Sequence, residues 1–141
     1  WGDGPYGREQ RFYGENNTNR NALTTASVSR LLEAVMTDGL LSPPACHRLR
    51  LALARSLDQG EREADPENQV DGFLGGGLPV GSRLWSKAGW MSQARHDAAD
   101  IETPGCRPFL VVAFSEGPER AADESLLPDL TQRLIQASAF S

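Results

Sequence analysis

Lys87 is the residue whose setting first suggests chemistry, because it is the only lysine among the 14 basic residues of the chain. It lies in Ser86-Lys87-Ala88-Gly89-Trp90, which we predict to be part of a β-strand. A lysine ammonium is a compact charge whose pKa shifts readily, so it suits a binding site. Gly89 would let a ligand approach the backbone closely. The alternative is an edge-strand lysine that discourages aggregation, beside a glycine bulge.

A second cation, Arg95, lies on the strand that we expect to follow. Its guanidinium could bind a substrate carboxylate. It could instead form a cross-strand ion pair with Asp97 or Glu102, since opposite charges on neighbouring strands attract. The sequence leaves both roles open.

The remaining candidate ligands do not form a site in the sequence. His47 and His96 are far apart, and we expect both on the surface. The two cysteines, Cys46 and Cys106, show no zinc-binding spacing, and we expect Cys46 to be a buried small side chain. We therefore predict no metal site and no cofactor.

The composition excludes several classes of protein. The 141 residues carry a formal net charge of -5 and no basic block, which argues against nucleic-acid binding. The longest apolar run, residues 109–114, is far shorter than the roughly 20 residues of a membrane span. Residues 1–5 lack the basic and apolar regions of a signal peptide. A single globular domain of ordinary composition remains.

The first half of the chain predicts helices. We expect one to begin at Thr24 or Thr25 and to end at Gly39, because apolar residues recur at helical spacing in Val28, Leu31, Leu32, Val35 and Met36. A second should begin with Ser42 and Pro43 and reach Leu57. Residues 58–66 should form a loop. A short helix should cover residues 67–74, and the glycines that follow should end it.

The second half predicts a sheet. Strands are expected at residues 82–92, 94–102 and 107–115, with a type II turn at Pro104-Gly105. Residues 109–114 are apolar at every position, so we expect helices on both faces of the sheet. A last helix should run from about residue 119 to residue 139, with a kink at Pro128. The fold class is therefore α+β, with helices followed by a three-stranded antiparallel meander and a C-terminal helix.

These segments resemble, in order and spacing, the C-terminal half of class A β-lactamases and penicillin-binding proteins. Lys87-Ala88-Gly89 is similar to the Lys-Thr-Gly motif of that family. The other matching segments are residues 21–26, which resemble the start of the helix after the omega loop, 71–79, 89–99 and 104–114. The resemblance covers residues 8–139 and implies part of a β-lactamase-like α/β sandwich.

The sequence also departs from the family, because it lacks two of the family's motifs. The chain contains no Ser-x-x-Lys, since position 84 is leucine, and no Ser-x-Asn. Both motifs lie upstream of the matched segments in the family. We therefore expect residues 1–141 to be the C-terminal portion of one β-lactamase-like domain. Residues 1–23 would be its omega-loop-like segment, 24–80 its helical part, and 81–141 its sheet and terminal helix.

The resemblance implies a site and a function. Residues 87–90 would be catalytic, Glu9 or Glu15 would be the omega-loop carboxylate, and Ser86 and Arg95 would bind substrate. The whole protein would be a bacterial, extracytoplasmic serine hydrolase of β-lactams or peptidoglycan-like peptides, with the missing N-terminal half as partner. Two alternatives are a non-catalytic binding domain of the same fold and an unrelated small α+β binding domain.

Overall fold

The structure, a computed structural model, describes residues 12–15 and 18–138. Its first helix, α1, spans Thr25–Met36. The hydroxyl of Thr24 accepts a hydrogen bond from the Ser27 N–H, and the Ser27 hydroxyl accepts one from the Thr24 N–H. This reciprocal capping box explains why the helix begins where the sequence predicts. Leu32 and Val35 form its buried side.

The end of α1 differs from the prediction. Thr37, not Gly39, is the C-cap, and Asp38 takes the left-handed conformation with φ of 58°. Aspartate tolerates that conformation better than most residues do. Arg50 stabilises the turn, because its Nη1 donates hydrogen bonds of 2.7 Å both to the Val35 carbonyl and to the Asp38 carboxylate.

Helix α2 spans Pro43–Leu53, with Ser42 at the N-cap position as predicted. Cys46 is buried on its inner side, also as predicted. The expected continuation to Leu57 is wrong. Ala54–Arg55 leaves the helix and forms a two-residue strand, β1, which pairs with the first long strand of the sheet.

The charged segment that follows is a helix, not the predicted loop. Helix α3 spans Gln59–Ala64, and the Asp58 carboxylate caps it by accepting a hydrogen bond of 3.0 Å from the Glu61 N–H. Capping of this kind stabilises a short helix that has no apolar side. The sequence pattern missed it because the segment lacks the apolar periodicity from which helices are predicted.

The helix predicted at residues 67–74 is absent, and a 3-10 helix at Leu74–Gly77 takes its place. The glycines form this element instead of ending one. A Cβ on Gly75 would lie 2.6 Å from the Leu84 side chain, and one on Gly77 would lie 2.2 Å from the Pro128 carbonyl oxygen. Glycine is therefore required for this close packing.

The sheet has four antiparallel strands in the order β1-β2-β3-β4. Strand β2 spans Arg83–Met91, β3 spans Ala94–Glu102 and β4 spans Phe109–Glu116. These three form the predicted meander, and β1 is the strand that the sequence did not predict. Gly105, with φ of 80°, and the hydrogen bond from the Cys106 N–H to the Thr103 carbonyl form the predicted turn before β4.

Helices cover both faces of the sheet, as the apolar pattern of β4 predicts. The main core lies between one face of the sheet, the 3-10 helix and the C-terminal helix. Its buried members are Val70, Phe73, Leu74, Leu84, Ala88, Ala99, Ile101 and Leu127. Helix α1 packs against β3 and β4, and from the alternation of side chains we assign it to the opposite face, which carries the buried Ala98.

The C-terminal segment contains two helices where one kinked helix is predicted. Helix α4 spans Pro118–Ala122 and α5 spans Leu126–Ser138. Pro128 lies in the first turn of α5, where its missing N–H breaks no helical hydrogen bond, so the helix is not kinked there. None of the helices between residues 12 and 138 has the length and apolar character to cross a bilayer.

Candidate functional site

A cleft of about 600 Å³ lies at the end of β2. Its walls come from the loop before the 3-10 helix, from β2 with the neighbouring Arg95 of β3, and from the link between α4 and α5. The lining residues are Pro66, Glu67, Asn68, Gln69, Asp71, Phe73, Lys87, Ala88, Gly89, Trp90, Arg95 and Glu124. The cleft therefore brings together Lys87, Ala88, Gly89, Trp90 and Arg95 from the sequence-predicted site.

One edge of β2 is open beside this cleft. Strand β1 pairs only with Leu84 and Trp85, so no other strand in the described part of the chain pairs with residues 86–91 on the side away from β3. An unpaired edge presents backbone N–H and C=O groups that can bind a ligand. The open edge is the wall of the cleft that carries Lys87 and Trp90.

The backbone hydrogen bonds show which groups point to this edge. The Ser86 carbonyl accepts a hydrogen bond of 2.9 Å from Nη2 of Arg55 on β1, so it points away from β3. Arg95, opposite Trp90, directs its own carbonyl to β4, where the Ser115 hydroxyl donates to it at 2.6 Å. Because backbone groups alternate in direction along an antiparallel strand, the Trp90 N–H points out of the sheet at the open edge.

Lys87 is exposed, and its ammonium donates a hydrogen bond to the Ala88 carbonyl at the same edge. The positive charge therefore lies along the backbone that forms the cleft wall. A Cβ placed on Gly89 would meet no other atom within 4 Å, so the position opens onto free space. Trp90 is 66% exposed and lines the cleft.

Ser86 and Ala88 belong to the opposite, buried side of β2. Ser86 is 0% exposed and Ala88 is 4% exposed. The Ser86 hydroxyl is buried, and its oxygen has no hydrogen-bond partner within the described residues. The structure thus brings the Ser86 backbone close to the site but keeps its hydroxyl inside the core.

Arg95 is a buried cation at the base of the cleft, 3% exposed. Its Nε donates to the Ala121 carbonyl at 2.9 Å, and its Nη1 donates to the Gly72 carbonyl at 3.0 Å. The ring centroids of Phe73 and Trp90 lie 5.0 and 5.8 Å from its Cζ, so the guanidinium contacts two aromatic side chains.

The cross-strand ion pairs considered for Arg95 do not form, because Asp97 and Glu102 lie on the same strand, β3, as Arg95 itself. Glu102 pairs with Arg83, and Asp97 accepts a hydrogen bond from the Leu74 N–H instead. The carboxylate nearest to Arg95 belongs to Glu124, whose Oε1 lies 3.8 Å from Nη2. Residue spacing within the sheet could not identify a partner that comes from a different element.

Asp97, which the sequence suggested only as an ion-pair partner of Arg95, is a buried carboxyl beside the site. It is 1% exposed and lies opposite Ala88 in the sheet. Its Oδ2 accepts the Leu74 N–H at 3.1 Å, and its Oδ1 has no partner among the described residues. Burial disfavours the charged form of Asp97 and raises its pKa to about 6. The Leu74 hydrogen bond and the charges of Arg55 and Lys87 favour the charged form, but their effect is smaller.

Only one of the two glutamates proposed for the omega loop lies in the described part of the chain. Glu9 lies outside the described residues. Glu15 is exposed and does not line the cleft. The assignment of Glu9 or Glu15 as the omega-loop base therefore stays a prediction.

The prediction that both histidines lie on the surface is correct for His47 and wrong for His96. His47 is exposed, whereas His96 is half-buried, lies 4.8 Å from the Phe114 ring and accepts a hydrogen bond from the Ser115 N–H. No cluster of three or more potential metal ligands occurs across residues 12–15 and 18–138.

Sequence reasoning missed Phe73, Glu124 and the loop of residues 66–71 as parts of the cleft. The loop is built by Asn68, whose side-chain oxygen accepts the N–H groups of Val70 and Asp71. An asparagine before a glycine-rich segment is a signal for such a turn, and it was available in the sequence. Glu124 gives no comparable signal, because it lies on an exposed link between helices.

The geometry is suited to binding an anionic or carbonyl group. A cation at Lys87 and an outward N–H at Trp90 lie on the same open backbone edge, and a second cation lies at the base of the cleft. Fixed N–H dipoles and positive charge stabilise negative charge that develops on oxygen. The chain supplies these groups without a nucleophilic serine that precedes a lysine by three positions.

The chain is similar to known proteins in sequence and in fold. The sequence model of the β-lactamase enzyme family matches residues 7–138. A β-lactamase from Sphaerobacter thermophilus superposes with a TM-score of 0.64 at 22% identity, covering 86% of this chain and 45% of that structure. The structure of PBP-A superposes with a TM-score of 0.65 at 18% identity, covering 96% of this chain and 51% of that structure. A β-lactamase from Streptosporangium roseum superposes with a TM-score of 0.65 at 22% identity, covering 92% of this chain and 46% of that structure.

No curated protein matches the sequence. The chain spans about half the length of the solved structures that it resembles. At these identities the structures establish the fold, and the family match covers nearly the whole chain. The alternative of an unrelated small binding domain is therefore wrong, and the chain belongs to the β-lactamase enzyme family.

Proposed function

We propose that this chain is the C-terminal part of a serine hydrolase that acts on β-lactams or on peptidoglycan-peptide-like amides. The nucleophile would come from a part of the protein outside residues 1–141. The observation that carries the proposal is the open edge of β2, where the Lys87 ammonium and the outward Trp90 N–H line one cleft. Acyl transfer needs both features where charge develops on oxygen.

In the proposed reaction, the oxygen of the missing serine attacks the carbonyl carbon of the amide. A C–O bond forms, the C–N bond breaks, and the nitrogen leaves with a proton, which yields an acyl-enzyme. The Trp90 N–H donates a hydrogen bond to the carbonyl oxygen as it becomes negative. Lys87 adds positive potential at the same edge. Water then hydrolyses the acyl-enzyme, and Glu9 or Glu15 is proposed as the base that activates it.

A substrate carboxylate needs a cationic partner among the residues that line the cleft. Ala88 has no hydroxyl, whereas the family motif has threonine there, so a substrate carboxylate must find another partner. We propose Arg95, whose Nη2 is the part of the guanidinium not bonded to a backbone carbonyl. The Ser86 hydroxyl is buried, so Ser86 would contribute only through its backbone at the edge of β2.

The missing half of the fold is the proposed partner of this chain. Strand β4 is the last strand of the sheet, and its outer edge is unpaired in the described part of the molecule. Leucines on and around α1 and α2 are also exposed, including Leu31 at 50%, Leu41 at 55% and Leu51 at 63%. An unpaired edge and exposed apolar side chains both favour further protein packed against them.

A non-catalytic binding domain of the same fold is the alternative. One observation favours it: Ala88 replaces the threonine of the motif. Lys87, Trp90 and Arg95 would then bind an anionic ligand without reaction. A variant of PBP-A has been captured as its acyl-enzyme complex with penicillin G, so acylation itself is the property that separates the two proposals.

The test is acylation of the complete gene product that contains residues 1–141. The protein is incubated with a fluorescent penicillin and with nitrocefin, and the modified serine is located by peptide mass spectrometry. Labelling of a serine upstream of residue 1 supports the hydrolase. Neither labelling nor turnover, together with replacement of the upstream serine, supports the binding domain.

A further inference from the structure

The ion pair at the base of the cleft is asymmetric. The Arg95 side chain is 4% exposed, whereas the Glu124 side chain is 79% exposed. The 3.8 Å between Glu124 Oε1 and Arg95 Nη2 is longer than a hydrogen bond. Nε and Nη1 of Arg95 are bonded to backbone carbonyls, so Nη2 is the part of the guanidinium that Glu124 faces.

The backbone of Glu124 is fixed although its carboxylate is exposed. The Asp123 carboxylate accepts hydrogen bonds from the N–H and the hydroxyl of Ser125, at 2.9 and 2.7 Å, and so sets the turn that contains Glu124. The stem of Glu124 passes close to Gly72, where an added Cβ would lie 3.3 Å from the Glu124 Cβ. The carboxylate is thus presented to Arg95 at the mouth of the cleft.

We propose that Glu124 is a displaceable counter-ion of Arg95 that sets which anions the cleft accepts. A ligand carboxylate takes the place of the Glu124 carboxylate at Nη2, and Glu124 turns towards solvent. Glu124 is then a specificity-determining residue that acts through Arg95. The inference rests on the proposed function only in so far as a carboxylate ligand must enter this cleft.

The energetics favour exchange over a permanent pair. A buried guanidinium needs a counter-charge, because burial of an unpaired charge is costly. A pair with one solvated partner contributes only about 0–1 kcal/mol, so its loss is easily offset. A ligand carboxylate that approaches Nη2 to hydrogen-bond distance forms a charge-assisted hydrogen bond, which is stronger than the long contact it replaces. Removal of the Glu124 charge should therefore increase affinity for carboxylates.

The experiment measures equilibrium binding, so it does not depend on a nucleophile. Phenylacetate and its neutral analogue phenylacetamide are titrated into the complete gene product, and the dissociation constants are obtained from chemical-shift changes in NMR spectra. Glu124→Gln is compared with the wild type. Glu119→Gln is the matched control, because Glu119 lies on the neighbouring helix α4, is exposed and does not line the cleft.

Glu124→Gln should lower the dissociation constant of phenylacetate at least about threefold and leave that of phenylacetamide unchanged, as expected when a competing charge is removed. Glu119→Gln should change neither. The proposal is overturned by an unchanged or higher phenylacetate constant in Glu124→Gln, by equal changes for both ligands, or by absence of phenylacetate binding. Specific phenylacetate binding without any acylation would contradict the hydrolase and leave the role of Glu124 supported.

Discussion

The Leu74 N–H donates a hydrogen bond of 3.1 Å to Oδ2 of Asp97, and this bond joins the glycine-rich 3-10 helix to the middle of the sheet. Phe73, which precedes Leu74, forms part of the cleft wall and lies against Arg95. Asp97 itself lies opposite Ala88, next to the Lys87 edge. One buried carboxyl therefore connects the stability of the core with the shape of the cleft.

Asp97→Asn should stabilise the protein at neutral and alkaline pH. A carboxyl whose pKa rises from 3.8 to about 6 on folding binds more protons in the folded state between those values. The free energy of unfolding therefore falls as the pH rises from about 4 to 6, by about 3 kcal/mol, and stays lower above pH 6. Asparagine can still accept the Leu74 hydrogen bond but never ionises.

The measurement is urea unfolding at pH 4 and pH 8. At pH 8 we expect Asp97→Asn to raise the free energy of unfolding by about 1–2 kcal/mol, less than the full ionisation penalty because the buried amide group also costs energy. Near pH 4 the gain should disappear. Asp129→Asn, which changes an exposed carboxyl on α5, is the matched control. Destabilisation by Asp97→Asn at pH 8 would mean that the ionised carboxylate is needed.

Gly72→Ala should be more destabilising than an ordinary glycine substitution. Gly72 has φ of 73°, and an added Cβ would lie 2.9 Å from Nη1 of Arg95. Gly105→Ala is the matched control, since Gly105 has φ of 80° but open space around it. In urea unfolding, we expect the free energy of unfolding to fall by about 1 kcal/mol in Gly105→Ala and by about 2–3 kcal/mol in Gly72→Ala. Equal losses would show that Arg95 moves aside without cost.

Local signals explain which parts of the fold could be predicted. The Thr24 cap with its apolar stripe, the Pro104-Gly105 turn and the alternation along the three long strands are properties of short segments, and each led to the correct element. The end of α2 could not be predicted in the same way. It depends on pairing between β1 and β2, which brings residues that are distant in sequence into contact.

The conformation of the glycine-rich segment, residues 74–77, also depends on contacts with residues that are distant in sequence. Glycine usually ends a helix, and this predicts a break at residues 75–79. The segment instead forms a 3-10 helix because Leu84 and Pro128 pack where side chains would otherwise lie. For the site, the Lys87 segment was recognisable from its motif. Phe73 and Glu124 were not, since only the tertiary fold brings them to Arg95.

The 141-residue chain by itself should not hydrolyse a β-lactam. No serine in it is followed three positions later by a lysine that could activate it. The purified chain is assayed with nitrocefin beside a mock preparation from cells that lack the gene. Saturable hydrolysis that exceeds the mock preparation would contradict the proposal that the nucleophile lies elsewhere.

Acylation of the complete gene product and its Lys87→Ala variant by a fluorescent penicillin tests the central claim most directly. Lys87 is exposed on the open edge of β2, so its removal should change stability by no more than about 1 kcal/mol. Arg83→Ala is the control, because it removes another exposed cation from the same strand, away from the cleft. The account predicts a labelled wild type, labelling more than about tenfold slower in Lys87→Ala, and a normal rate in Arg83→Ala. An unlabelled wild type, or a normal rate in Lys87→Ala, would contradict it.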